Sequence, residues 1–224
     1  GIMPERLPAG ALYESQEQAI KLANVDLSHG GINVLDVCDY LKEHKSEDLY
    51  YATDSHWTTQ GAYLAFQKVA VDLGIDPKAY EYIKSPASYS FSGDLSARNG
   101  FLSGKKDELD VFLPKDADIP VSVISYDDTE TKSSSFYSTA QLDERNQYRL
   151  FFDGNHSKVT ITSAVANNEV LLVVKDSYAN CFVPFLAPFY HKIIMIDIES
   201  FTDDLQEVVD KENVTQVLYL FNAN

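Results

Sequence analysis

Apolar residues recur along this chain in two rhythms, and each predicts a kind of element. Ala62, Ala65, Phe66, Val69, Ala70 and Leu73 fall at i, i+3, i+4, i+7, i+8 and i+11, the spacing of one helical face. Thr58 or Thr59 can cap this helix and Gly74 follows it, so we predict a helix from there to about Leu73. Val170 to Val174 is instead an unbroken apolar run, which reads as a strand buried on both faces. Lys192 to Ile198 and Val214 to Phe221 read as further strands. Between those two, Phe201 to Asn213 forms an amphipathic helix with Leu205, Val208 and Val209 on one side. A turn and a short helix, stopped by Pro184 and Pro188, supply the earlier crossover. This β-α-β-α-β order predicts a parallel sheet with right-handed crossovers.

The rest of the chain is less regular. Residues 1 to 14 read as a lead-in marked by Pro and Gly. Glu14 to Asn24 has helical composition, Ile32 to Leu35 reads as a short strand, and Asp36 to His44 as a short helix. Character changes over residues 75 to 168. Asp110 to Leu113, Val121 to Tyr126, Ser134 to Tyr137, Gln147 to Phe152 and Lys158 to Thr162 look like strands between Pro, Asp, Gly and Asn turns. We read a β-rich segment at about 85–168, inserted into a single domain spanning residues 1–224. A chain of 224 residues can bury a core of that size.

Composition narrows the classes of function. The formal net charge of −16 argues against nucleic acid as a partner, because phosphate backbones need Lys and Arg. A neutral or cationic polymer is easier to accommodate. The 14 Tyr and 12 Phe favour β-rich surfaces or clefts for flat ligands. No apolar run approaches the roughly 18 residues of a membrane-spanning helix. The opening Gly1-Ile2-Met3-Pro4 looks processed, compatible with a removed export segment. Two distant cysteines, Cys38 and Cys181, make neither a metal signature nor a disulfide framework, and Cys181 reads as a small buried hydrophobe.

Two stretches carry candidate chemistry: Tyr50 to Thr59 (YYATDSHWTT) and Leu171 to Asn180 (LLVVKDSYAN). Ser177 closely follows the buried strand, and reactive groups gather at the carboxyl ends of strands in α/β sheets. There the next backbone N–H can face a developing oxyanion. A cap for the following helix is the plainer role for Ser177. Asp54 precedes His56 by two residues in the turn feeding the next helix. A serine nucleophile needs a base, and the base needs an orienting acceptor, so Asp54, His56 and Ser177 supply three complementary roles. A packed histidine bracing the helix start is the plainer reading of His56. A mixed metal site from Asp54, His56, His156 and Asp176 is a rival, though no H-x-x-x-H or C-x-x-C spacing supports it. The ten Gly are dispersed and cradle no phosphate. Phe91-Ser92-Gly93-Asp94-Leu95 and Phe152-Asp153-Gly154-Asn155-His156 read as turns, and Asp127-Asp128-Thr129-Glu130 as a solvated one.

The runs YYATDSHWTTQGAYLAFQ and LLVVKDSYANCFVPFLAPFYHKIIMID together resemble the bacterial DHHW family, related to the SGNH-hydrolase-like domains of alginate O-acetyltransferases. The resemblance extends from about Pro4 to Asn222, with FSGDLSARNG and FFDGNHS at corresponding places. It implies a flavodoxin-like, three-layer α/β/α SGNH-hydrolase-like fold with a parallel central sheet. It also implies a triad of Ser177 as nucleophile, His56 as base and Asp54 as orienting acid. Lys175 stands where ordinary SGNH hydrolases have Gly, and Ser55 replaces the first His of the family name. The motif order is reversed relative to ordinary members and shared with the acetyltransferase-like branch. Oxyanion donors are sought in the N–H of Ser177 or Tyr178, in Asn155 and in Gly93. The implied function is a serine esterase or O-acyltransferase acting on acetyl groups of a carbohydrate polymer, outside the cytoplasm, with no metal or organic cofactor. Its alternative is a non-catalytic carbohydrate-binding or structural cell-envelope domain on the same fold.

Overall fold

Two sheets organise the molecule, a computed structural model that describes residues 3, 10, 15–98, 104–115, 119–127 and 129–223. The first is a ribbon of β1 (Tyr82–Phe91) and β2 (Asp107–Pro114), paired antiparallel with irregular register at Pro86/Ser88 and Ser88/Phe91. The second combines β3 (Val121–Tyr126), β4 (Glu130–Ser133), β5 (Lys158–Ser163), β6 (Val170–Lys175), β7 (Lys192–Asp197) and β8 (Gln216–Leu220). Its order is β4-β3-β5-β7-β6-β8.

This sheet is mixed, which corrects the expectation of a parallel one. β6 pairs in parallel with both β7 and β8, as the crossover order at the C-terminus predicts. β5 pairs antiparallel with β7, and β3 antiparallel with β5 and β4. These outer strands need no crossover helix, because antiparallel neighbours can be joined by any connection that reverses the chain. Of the segment at 85–168, β3 to β5 therefore extend the central sheet, while β1 and β2 form the separate ribbon.

Every residue of β6 is buried. Val170, Leu172 and Val174 face α5 (Leu205–Glu212), packing beside Leu205, Val208 and Val209. Leu171 and Val173 join the larger core on the other side, with Phe66 and Val69 of α3 (Thr59–Val69) and the rings of Phe182 and Phe185. Both strand faces are covered, which is why the run is apolar without alternation. β5 is buried only at alternate positions and its sequence alternates accordingly. Thr58 Oγ1 accepts the Gly61 N–H at 3.1 Å and caps α3, satisfying a donor that the helix leaves unpaired.

Four smaller expectations change. Ser134 to Tyr137 forms no strand, with only Tyr137 bridging to Phe151. Ile32 to Leu35 forms no strand. Residues 147–150 form a 3-10 turn instead of a strand, because Tyr148, Leu150 and Phe151 all turn into the core. The first helix, α1 (Gln16–His29), runs further than its composition predicted and buries none of its residues. It meets α2 (Cys38–Glu43) through Glu17, which pairs with Lys42. The lead-in at 1–14 lies outside the described residues apart from Met3 and Gly10, as does Asp128.

Candidate active site

The end of β6 delivers Ser177 to a tight turn. Asp176 caps it, its Oδ1 accepting the Tyr178 N–H at 2.9 Å, while its Oδ2 accepts the backbone and side-chain N–H of Asn222 at 2.8 Å each. The turn's geometry is thus fixed by an Asp bonding two residues ahead. Across from it lies the loop before α3. His56 Nε2 stands 2.7 Å from Ser177 Oγ, and His56 Nδ1 stands 2.5 Å from Asp54 Oδ1. Residues far apart in sequence therefore meet in one hydrogen-bonded line.

Asp54 is held on every side. Its Oδ1 also accepts the His56 N–H at 3.0 Å, and its Oδ2 accepts the Asp94 N–H at 3.0 Å. Its side chain is 3% exposed and that of His56 14%. Burial opposes ionisation of Asp54, but hydrogen bonds and charge from the His56 ring and the N–H groups of His56 and Asp94 outweigh it. The carboxyl is held below the usual aspartate range. An acceptor that stays ionised fixes the imidazole with its proton on Nδ1 and its free electron pair toward Ser177.

Aromatic rings complete the site. Tyr148 stacks on the imidazole at 3.9 Å between ring centres with the planes 18° apart. Tyr178 lies on the imidazole at 5.0 Å and 37°. Trp57 Nε1 donates to Tyr178 O at 2.9 Å, and the Tyr178 hydroxyl donates to Ser55 O. Tyr178 thereby straps the histidine loop to the serine turn. A cleft of about 1270 Å³ borders the neighbours Ser55, Trp57 and Tyr178, with Tyr50, Lys84 and Asp107 also among its walls, while Asp54, His56 and Ser177 are not among its lining residues.

Two of the residues sought as oxyanion donors serve otherwise. The Tyr178 N–H is donated to Asp176. The Gly93 N–H is donated to Thr53 Oγ1 at 3.1 Å. A Cβ on Gly93 would lie 2.2 Å from Asp54 Cβ and 2.3 Å from Asp54 Oδ2, so this glycine makes room for the acid. Asn155 differs. Its Oδ1 accepts Lys175 Nζ at 3.2 Å and Asn180 Nδ2 at 2.8 Å, while its Nδ2 has no partner among the described residues. The Ser177 N–H is likewise without a partner there.

Sequence reasoning missed Tyr148, which lay inside an expected strand, and Asp107, which accepts the Thr53 N–H at 2.8 Å and the Thr53 hydroxyl at 2.6 Å. Neither has a local signal, since each acts across a long stretch of chain. His156 and Asp176 do not join Asp54 and His56. His156 bonds Asp127 Oδ2 and Phe152 O, and Asp176 holds the serine turn. Among the described residues, no cluster of three His, Cys, Asp or Glu could hold a metal ion.

Comparison with solved structures finds the same fold. A DHHW family protein from Eubacterium siraeum superposes with a TM-score of 0.78 at 23% identity, over 97% of this chain and 73% of that one. Bacillus cereus PatB1 with a sulfonyl adduct gives 0.74 at 20% identity, over 99% and 78%. The O-acetyltransferase domain of Pseudomonas putida AlgJ gives 0.56 at 13%, over 99% and 70%. No curated protein matches. The family model described as "DHHW protein" matches residues 15–196, and the chain belongs to the DHHW family.

Proposed function

We propose that this is a serine O-acyltransferase or esterase that moves acetyl groups on or off a carbohydrate polymer, with Ser177, His56 and Asp54 as its triad. One observation carries the reading: a serine hydroxyl 2.7 Å from one imidazole nitrogen, with a carboxylate 2.5 Å from the other. That is the reach a nucleophile and base need. His56 Nε2 takes the Ser177 proton as Oγ attacks the acetyl carbonyl. The oxyanion that forms accepts from the Ser177 N–H and from Asn155 Nδ2. His56 then returns its proton to the leaving oxygen, and an acyl-serine remains. A sugar hydroxyl or water attacks that ester, giving up its proton to His56, and the intermediate collapses as the acetyl–Oγ bond breaks and His56 returns the proton to Ser177. Asp54 keeps its charge throughout and stabilises the imidazolium.

The likeness to an O-acetyltransferase domain supports acetyl transfer, and the aromatic walls of the cleft suit sugar rings. We take residues 1–224 as one SGNH-hydrolase-like domain of the three-layer α/β/α kind. A polymer substrate places it outside the cytoplasm. Among the described residues, no helix is long and apolar enough to cross a membrane.

The test compares native protein with Ser177→Ala for release of p-nitrophenol from its acetate ester, and for covalent labelling by a fluorophosphonate. Turnover and labelling that vanish together in the variant support the triad. Equal rates and no adduct would favour a non-catalytic carbohydrate-binding domain.

A further inference from the structure

A buried lysine stands two residues before the nucleophile. Lys175 is 1% exposed, and its Nζ lies 3.3 Å from Asp197 Oδ2 and 3.2 Å from Asn155 Oδ1. Buried ion pairs give little net stability against apolar side chains of similar volume, so stability is a weak reason for one here. The second partner, Asn155, supplies a better reason. An ammonium carries donors only, so Lys175 can face the oxygen of the Asn155 amide and never its NH2 group. Asn180 makes the same choice through its Nδ2, at 2.8 Å. Lys175 and Asn180 flank Ser177 in the chain, so the Asn155 amide is anchored on both arms of the nucleophile's turn.

The loop bringing Asn155 there is shaped for the purpose. Phe152, Asp153 and Gly154 have φ of 59°, 65° and 109°, a left-handed run that only strong local bracing maintains. Arg149 donates to Asp153 O from Nε at 3.1 Å and Nη2 at 3.0 Å. His156, next to Asn155, bonds Phe152 O at 2.7 Å and Asp127 Oδ2 at 2.6 Å. Asn155 itself is exposed, so a ligand can reach the amide group that these contacts leave unused.

We infer that Lys175, held by Asp197, is a positioning residue: it fixes the Asn155 amide so that its NH2 points at the substrate oxygen. This rests on the acyl-transfer reading of Ser177. Without the ammonium that orientation is no longer enforced: the Asn180 amide, whose own Oδ1 has no partner among the described residues, can turn together with that of Asn155, which then presents a carbonyl oxygen where the oxyanion forms.

The experiment uses hydrolysis of p-nitrophenyl acetate by the whole chain, with melting temperature measured alongside. Lys175→Met is combined with Asp197→Asn, so that no bare carboxylate stays buried. Asn155→Ala is made alone and in the combined background. Loss of one oxyanion donor predicts a fall in kcat of about 10²-fold in Asn155→Ala, with KM little changed. The Lys175→Met/Asp197→Asn protein is expected to lose kcat similarly, and adding Asn155→Ala to it to lose nothing more. Losses that multiply, or a folded Lys175→Met/Asp197→Asn protein with native kcat, overturn the inference. Asn155→Ala, an exposed change, decides the matter even if the buried pair cannot be altered without unfolding, since full kcat there also overturns it. Turnover that does not depend on Ser177 would instead sink the enzyme reading, and this inference with it.

Discussion

Gly93→Ala is the most economical probe of the site, because it adds one methyl group and removes nothing. The new Cβ would sit 2.2 Å from Asp54 Cβ and 2.6 Å from Asp54 Cγ, where ordinary contact begins at 3.4 Å. Gly93 lies outside the left-handed region, so alanine fits its backbone and only the space is wrong. Either the Asp54 side chain or the Gly93 backbone must move by about 1 Å. Neither is free: Asp54 accepts from His56 and the Asp94 N–H, and Gly93 donates to Thr53. Overpacking of this kind costs about 1–3 kcal/mol, which in a chain of this length lowers the melting temperature by roughly 2–12 °C. A carboxylate displaced by about 1 Å no longer meets His56 Nδ1 in line, and misplacement of that size costs about 10²-fold in rate. The assay pairs thermal unfolding with kcat on p-nitrophenyl acetate. A variant with native kcat would refute the reasoning, whether its melting temperature falls or not. It would mean that the position of Asp54 does not govern the base.

Two further outcomes follow from the electrostatics. Asp54 is held below its ordinary value of 3.8 in the fold, so the unfolded chain binds its proton first as pH falls. Its stabilising contribution is full above that value and is lost as pH drops through the lower folded one. Asp54→Asn removes that slope, and urea unfolding at about pH 6 and about pH 3 should show a smaller drop in stability for the variant; equal drops refute it. Both thiols are buried and free, and burial pushes Cys38 up to about 11 and Cys181 up to about 12. Ellman's reagent should therefore react with neither at neutral pH until denaturant is added, and rapid labelling of the native protein would contradict this burial.

What the sequence disclosed, and what it hid, divides by physical cause. β6 was legible because covering both faces of a strand leaves no polar positions, and α3 because one buried face imposes its spacing. That Ser177, His56 and Asp54 belong together was an expectation from residue type, and the structure brings their side chains into one hydrogen-bonded line. The direction in which β5 meets β7 was not, since alternation records burial and is the same for either pairing. Tyr148 shows the converse error. An aromatic run looks like a strand by composition, yet its rings turn inward together and one stacks on the imidazole.

The N–H groups of Tyr178 and Gly93, both sought as oxyanion donors, are bonded elsewhere for different reasons. At Tyr178 the cause was readable: an Asp two residues ahead of an N–H competes for it, and Asp176 does. At Gly93 nothing local could have told a donor from a gap, because the atom it accommodates belongs to Asp54 in a distant loop. A glycine near a reactive centre can contribute its N–H or its lack of a side chain, and only the packing partner decides which. The same distinction gives Asn155 its weight. It is exposed and, among the described residues, bonded through its oxygen alone, which leaves its amide N–H groups open to a ligand there.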